Sequence, residues 1–268
     1  MTHKRVKRAS PGADEQKNPL GEVELSDEDA RKLGEIQKVM QRAEIALERR
    51  AIETLAPKYA ARREILKAIP KFWAVALMNN ELFAMHAQHH GDQAALAYLE
   101  DVWLVRDPLE TRVFTIEFYF KENPYFSNAV LKKEFKYVAP EGAANETPGE
   151  DGLTDSMIDF NWERDIDSKA FKIDWKDDGK NLTKLYPRVS NEPDDVSEGG
   201  SFFNFFESAE DPFDIGVLIG NDIFPDAIEY FLGQRGDVDS DEEEDSDDDD
   251  DDAEEIDLEK PRVKRAKH

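Results

Sequence analysis

Residues 201–232 read SFFNFFESAEDPFDIGVLIGNDIFPDAIEYFL, and the interpretation of the fold turns on them. Four phenylalanines, Phe202, Phe203, Phe205 and Phe206, fall within five positions. Behind them Phe213, Ile215, Val217, Leu218, Ile219, Ile223, Phe224, Ile228, Tyr230 and Phe231 are interspersed with Glu207, Glu210, Asp211, Asp214, Asp222, Asp226 and Glu229. A segment of that composition closes a hydrophobic core on one side and leaves an acidic surface on the other. It hands over to residues 237–259, where 17 of 23 residues are acidic and none is basic. An acidic-faced core followed by a polyanion points to a strongly basic binding partner.

The charge balance outside the tail agrees. The chain of 268 residues carries −26. With the tail (−17), the last nine residues (+5) and the first eight (+4) set aside, residues 9–236 still carry −18. Net charge bears on solubility and partners rather than on fold. Here it argues against strong direct binding of nucleic acid, whose phosphates need Lys and Arg, and favours a basic protein. There is no cysteine, which excludes disulfides, thiolate catalysis and cysteine-ligated zinc. No apolar run reaches transmembrane length, so no membrane association is expected. The basic start has no apolar stretch behind it and does not read as a secretory signal. Two basic clusters, Lys4, Arg5, Lys7 and Arg8, and Lys260, Arg262, Lys264, Arg265 and Lys267, are nuclear-import candidates. A nuclear location with shuttling to the cytoplasm is the expectation.

Residues 1–24 are polar and interrupted by Pro and Gly, and read as a disordered basic N-terminus. Residues 25–56 read as one long helix. Ser26 is its N-cap, with Asp27, Glu28 and Asp29 in the first turn. Leu33, Ile36, Met40, Ala43, Leu47, Ala51 and Leu55 recur in steps of three or four and form one apolar stripe. Such a stripe is either a two-helix dimer seam or a face packed on the chain's own core. Pro57 suits the first turn of a second helix, residues 57–68. Short helices are predicted at 71–78, 81–90 and 92–100. His86, His89 and His90 lie in that region, but no carboxylate or cysteine completes a metal set, and they read as surface histidines.

Strands follow. Residues 98–106, 112–120 and 130–138 are β-branched and aromatic, alternate in part and are joined by short turns, which makes an antiparallel meander. MIDFNW (157–162) and FKIDW (171–175) read as two further short strands. Residues 140–154 and 187–200 read as loops. There is no nucleophile elbow, P-loop, dinucleotide turn or HExxH, and among 61 acidic residues a carboxylate pair signals nothing, so neither catalysis nor a cofactor is expected.

IPKFW (69–73), FYFKENPYFSNAVLKKEF (118–135), IDWKDDGKNLTK (173–184), SFFNFF (201–206) and DIGVLIGNDIFPDAIEYFL (214–232) together resemble the nucleosome assembly protein family. Within it they look like the SET/template-activating factor I branch with its shorter fungal relatives. The resemblance covers residues 26–232 in order, and the acidic tail suits it. It implies an α+β fold: a long N-terminal dimerisation helix, then an "earmuff" domain of antiparallel sheet packed on helices. The implied division is a basic N-terminus (1–24), the dimerisation helix with its successor (25–68), a histone-binding domain (69–236) and a disordered acidic tail with a basic end (237–268). It also implies a homodimer that chaperones core histones and helps assemble and disassemble nucleosomes. On that reading Glu207, Glu210, Asp211, Asp214, Asp222, Asp226 and Glu229 are the candidate histone contacts, made as charge-assisted hydrogen bonds to Lys and Arg. The tail adds a diffuse anionic field, which phosphorylation of Ser240 and Ser246 would deepen. The alternative is a regulator of an enzyme, either a phosphatase inhibitor or an activating subunit of a histone acetyltransferase. Two features depart from the branch: residues 139–170 look longer, and Ala43 and Ala51 dilute the helical stripe.

Overall fold

A computed structural model describes residues 25–192 and 195–235. Both basic clusters, the acidic run and Ser240 and Ser246 lie outside the described residues.

The first element, α1, is a single helix of 40 residues, Asp27–Leu66, about 60 Å long at 1.5 Å per residue. Ser26 caps it, with its hydroxyl 3.1 Å from Asp29 N and 2.7 Å from Asp29 Oδ2. Pro57 does not divide the helix as the sequence predicts; it lies inside α1. A proline there deletes one rung of the ladder at a cost of about 3 kcal/mol. The next turns offset that loss. Tyr59 packs edge-on to Phe224 at 5.1 Å. Arg62 donates to Phe224 O and Pro225 O, both at 2.7 Å. Arg63 donates to the buried Asp101 at 2.5 Å, and Leu66 is buried.

Three short helices follow: α2 (Phe72–Met78), α3 (Glu81–His86) and α4 (His90–Leu96). The main sheet has the order β1 (Leu99–Asp107), β2 (Glu110–Phe120), β3 (Val130–Tyr137), β4 (Ile166–Ser168), all antiparallel. The period-2 reading holds on β2: Phe114, Ile116, Phe118 and Phe120 are buried while Thr115, Glu117 and Tyr119 are half-buried. On β3, Leu131, Lys133 and Phe135 fill the buried positions.

Two expected strands are corrected. Met157 lies in helix α5 (Asp155–Ile158) and Trp162 opens helix α6 (Trp162–Asp165). Thr154 Oγ1 accepts from Met157 N at 3.4 Å and Asn161 Oδ1 from Arg164 N at 3.0 Å. These local caps override the apolar alternation. Residues 171–175 form no strand of the sheet; an isolated bridge joins Trp175 to Phe126 in the NPYF turn. Backbone bonds Ser127 N to Asp174 O (2.9 Å) and Lys176 N to Tyr125 O (2.8 Å) secure that junction. After α7 (Leu182–Leu185), the expected loop at 187–200 contains a two-stranded hairpin, β5 (Val189–Glu192) and β6 (Asp195–Glu198).

The phenylalanine cluster closes the core as expected. Asp92 on α4 accepts from Ser201 Oγ at 2.5 Å and Phe202 N at 3.0 Å, which fixes the entry to α8 (Asn204–Glu207). Phe202 then packs on Phe83 (4.9 Å), Phe206 on Phe118 (5.2 Å) and Phe203 on Phe126 (5.6 Å). The chain ends with α9 (Ile215–Leu218), a π-turn (Ile219–Ile223) and α10 (Ala227–Phe231).

Candidate functional site

The seven carboxylates of the closing segment divide into three groups. Glu207, at the end of α8, is half-buried and ties three segments together. It accepts from Ile173 N (3.2 Å), Trp175 Nε1 (3.2 Å) and Thr183 Oγ1 (2.6 Å). Asp211 caps α9, accepting from Ile215 N at 3.1 Å and Gly216 N at 2.7 Å. Burial pushes its carboxyl above the usual range, while those two N–H groups and nearby Lys133 pull it down. Glu207 and Asp211 therefore spend their charge inside the fold.

Glu210 and Asp214 are exposed and flank Asp211. Asp214 adopts a left-handed backbone, φ 51°, at the start of α9, and its side chain caps nothing. Asp222, Asp226 and Glu229 make the third group, gathered around Arg235 by ion pairs of 2.6, 2.8 and 3.5 Å.

Sequence reasoning missed the cations set against these acids. Lys133 is buried in a strand position that alternation reserves for an apolar residue. Its Nζ donates to Ser208 O at 2.7 Å, and burial pushes its pKa down to about 8. Arg188 donates to Ser208 Oγ at 3.1 Å. Arg235 lies thirteen, nine and six residues beyond its three partners, separations that match no single helical face.

The predicted dimer stripe is exposed along its length, although its last two members, Ala51 and Leu55, face a groove toward the sheet. Leu33, Ile36, Met40, Ala43, Leu47, Ala51 and Leu55 are all exposed, with Leu47 at 71%, and Val39 joins them at 60%. Among the described residues of α1 only Leu66 is buried. The opposite flank is occupied by the chain itself. The region 149–157 folds back on α1, where Arg42 pairs with Asp151 (2.9 Å) and Asp155 (3.3 Å). Arg49 donates to Leu109 O at 3.0 Å. Between α1 and the sheet lies an apolar groove of about 470 Å³, with Ala51, Ile52 and Leu55 on one wall and Trp103, Leu104 and Phe224 on the other.

The histidines do not assemble. His86 packs against Phe213 at 4.7 Å and His89 stacks on Tyr186 at 4.0 Å. No helix among the described residues is long and apolar enough to cross a membrane.

Residues 20–234 match the family model described as Nucleosome assembly protein (NAP). Nucleosome assembly protein 1-like 1-A of Xenopus laevis is 30% identical over 200 residues, 67% of this chain and 49% of that protein. Nucleosome assembly protein 1;1 of Arabidopsis thaliana is 31% identical over 190 residues, 63% of this chain and 47% of that one. The chain thus spans about half the length of the curated relatives it matches. Among solved structures, Ccp1 superposes with a TM-score of 0.58 at 22% identity, over 79% of this chain and 98% of its own. Vps75 does so with a TM-score of 0.55 at 17% identity, over 78% and 100%. At these identities the structural likeness is one of fold, and it agrees with a long helix followed by an antiparallel sheet packed on helices. With a family model matched from before α1 to the end of α10, the chain belongs to the nucleosome assembly protein family.

Proposed function

We propose that this chain is a histone chaperone: a non-enzymatic nuclear protein that binds core histones, keeps them off non-specific DNA and helps assemble and disassemble nucleosomes. The observation that carries the reading is that residues 25–236, which carry −15, expose Glu210 and Asp214 beside a cap that consumes Asp211. Relatives named for nucleosome assembly support histones as the basic partner. Exposed carboxylates suit a chaperone because each contact with histone Lys or Arg is weak and salt-sensitive, so cargo is screened but released. The working unit is a homodimer joined along the exposed stripe of α1, since a continuous apolar face of that length marks a protein interface. Nuclear entry is assigned to the two basic clusters and a diffuse supporting role to the acidic run.

The test is a titration of core histones, with DNA competing, across a salt series. Full-length chain, a chain ending at residue 236 and a Glu210→Lys/Asp214→Lys variant would be compared. The truncated chain is expected to retain histone binding near physiological salt, and the double variant to lose affinity about tenfold. Loss of all binding on truncation would move the site to the tail and leave the fold as its carrier.

A further inference from the structure

A guanidinium already sits among the carboxylates of the closing segment. Gly233, at φ 67°, turns the chain beyond α10, and Arg235 reaches back over it. Nη1 lies 2.6 Å from Asp222 Oδ1, Nη2 2.8 Å from Asp226 Oδ2 and Nε 3.5 Å from Glu229 Oε2. Its Cζ is 5.8 Å from the centre of the Tyr230 ring. Three of its nitrogens therefore each face an acid.

The receiving side is built. Tyr230 Oη donates to Asp222 Oδ2 at 2.6 Å, and Asn80 Nδ2 donates to the same oxygen at 3.2 Å and to Tyr230 Oη at 3.1 Å. Asn80 and Tyr230 are 6% and 7% exposed, and Asn80 is itself held by accepting from Phe83 N at 2.9 Å as the cap of α3. The carboxylate that meets the guanidinium is thus oriented from behind by buried polar groups. Acceptors spread around a planar fork suit arginine better than the compact ammonium of lysine. The occupant itself is held loosely. Its side chain is 42% exposed, as are its partners to 34%, 32% and 54%, and ion pairs at that exposure are weak and screened by salt.

We propose that Asp222, Asp226, Glu229 and Tyr230 form an arginine-recognition site that Arg235 closes in cis, and that an arginine of a basic partner enters by displacing it. For the partner's identity this rests on the histone reading; the chemistry of the site does not. Arg235 stands two positions before the acidic run that begins at Asp237. The plug lowers the apparent affinity in proportion to the fraction of time it is seated.

The experiment compares full-length chain with its Arg235→Ala variant by calorimetric titration with short oligo-arginine and oligo-lysine peptides at about 0.15 M salt. Both proteins carry the same tail, so its unspecific contribution cancels. The oligo-arginine peptide is expected to bind Arg235→Ala about two- to tenfold more tightly than the parent, the range set by an exposed ion-pair network. The oligo-lysine peptide is expected to change less than twofold. Adding Asp222→Asn, or Asp226→Asn where the first perturbs the fold, is expected to abolish the gain. Equal affinities of parent and variant for oligo-arginine, or an equal gain for both peptides from simple charge relief, would overturn the proposal. So would a lowered Tm without any gain, which would make Arg235 a brace at the helix end. Failure of the histone reading shows separately, as a parent chain that does not bind core histones while arginine discrimination persists.

Discussion

Lys133 sits with its neighbours' apolar side chains in the core, its ammonium 5.4 Å from the Phe205 ring and hydrogen-bonded to Ser208 O. Its pKa of about 8 in the folded chain compares with 10.5 for the free side chain. Between those values the unfolded chain holds a proton that the native one has shed, so this group's contribution to stability rises with pH across that window. Relative to Lys133→Met, the parent is expected to gain on the order of 2 kcal/mol between pH 7.5 and 9.5, read from urea midpoints at the two pH values. A flat difference would show the ammonium to be well solvated. Glu207 makes a contrasting case. Glu207→Ala removes the acceptor shared by Ile173, Trp175 and Thr183 and is expected to cost about 2 kcal/mol in urea unfolding while leaving histone affinity unchanged. The sequence makes Glu207 and Glu210 look equivalent. What separates them is contact with residues some thirty positions upstream, which no local pattern encodes.

At the scale of elements, period-2 alternation and the phenylalanine cluster were legible because burial repeats with the backbone's own geometry. The sheet order and the closing role of 201–206 follow from them. Pro57 was misread because a local rule met a tertiary override: Tyr59, Arg62, Arg63 and Leu66 gain enough beyond it to keep the helix running. The strand reading of residues 157–162 fails for the opposite reason, since side-chain caps defeat an alternation too short to matter. The stripe on α1 was legible, and its complete exposure in the protomer supports the seam over the self-packed alternative. Met40→Asp/Leu47→Asp is expected to convert a dimer to a monomer in sedimentation velocity at micromolar concentration. The far-ultraviolet circular dichroism of the sheet domain should change little. A dimer that survives both charges would shift the seam to the groove between α1 and the sheet.

For the molecule as a whole, the division of charge decides behaviour. The fold internalises some acids beside Lys133 and Arg188, pairs others at the surface with Arg235 and displays the rest, so composition alone overstates the charge free for a partner. The balance between a fold of −15 (residues 25–236) and a tail of −17 predicts two salt regimes in histone binding, a shallow one from the fold and a steep one that disappears with the tail. Measuring affinity at four or more salt concentrations with and without residues 237–268 checks this. A single slope shared by both proteins would assign all binding to the fold. The bracing of α1 has a mechanical consequence. The helix is a beam with one weak joint, at Pro57, and it is tied across that joint by Arg42 to Asp151 and Asp155 and by Arg49 to the β1–β2 turn. Residue 27 lies about 45 Å beyond the joint, so each 5° of bend there would sweep the tip by about 4 Å. Triangulation by the 149–157 segment removes that play, and the angle at which a second beam could lie alongside is set before the two ever meet.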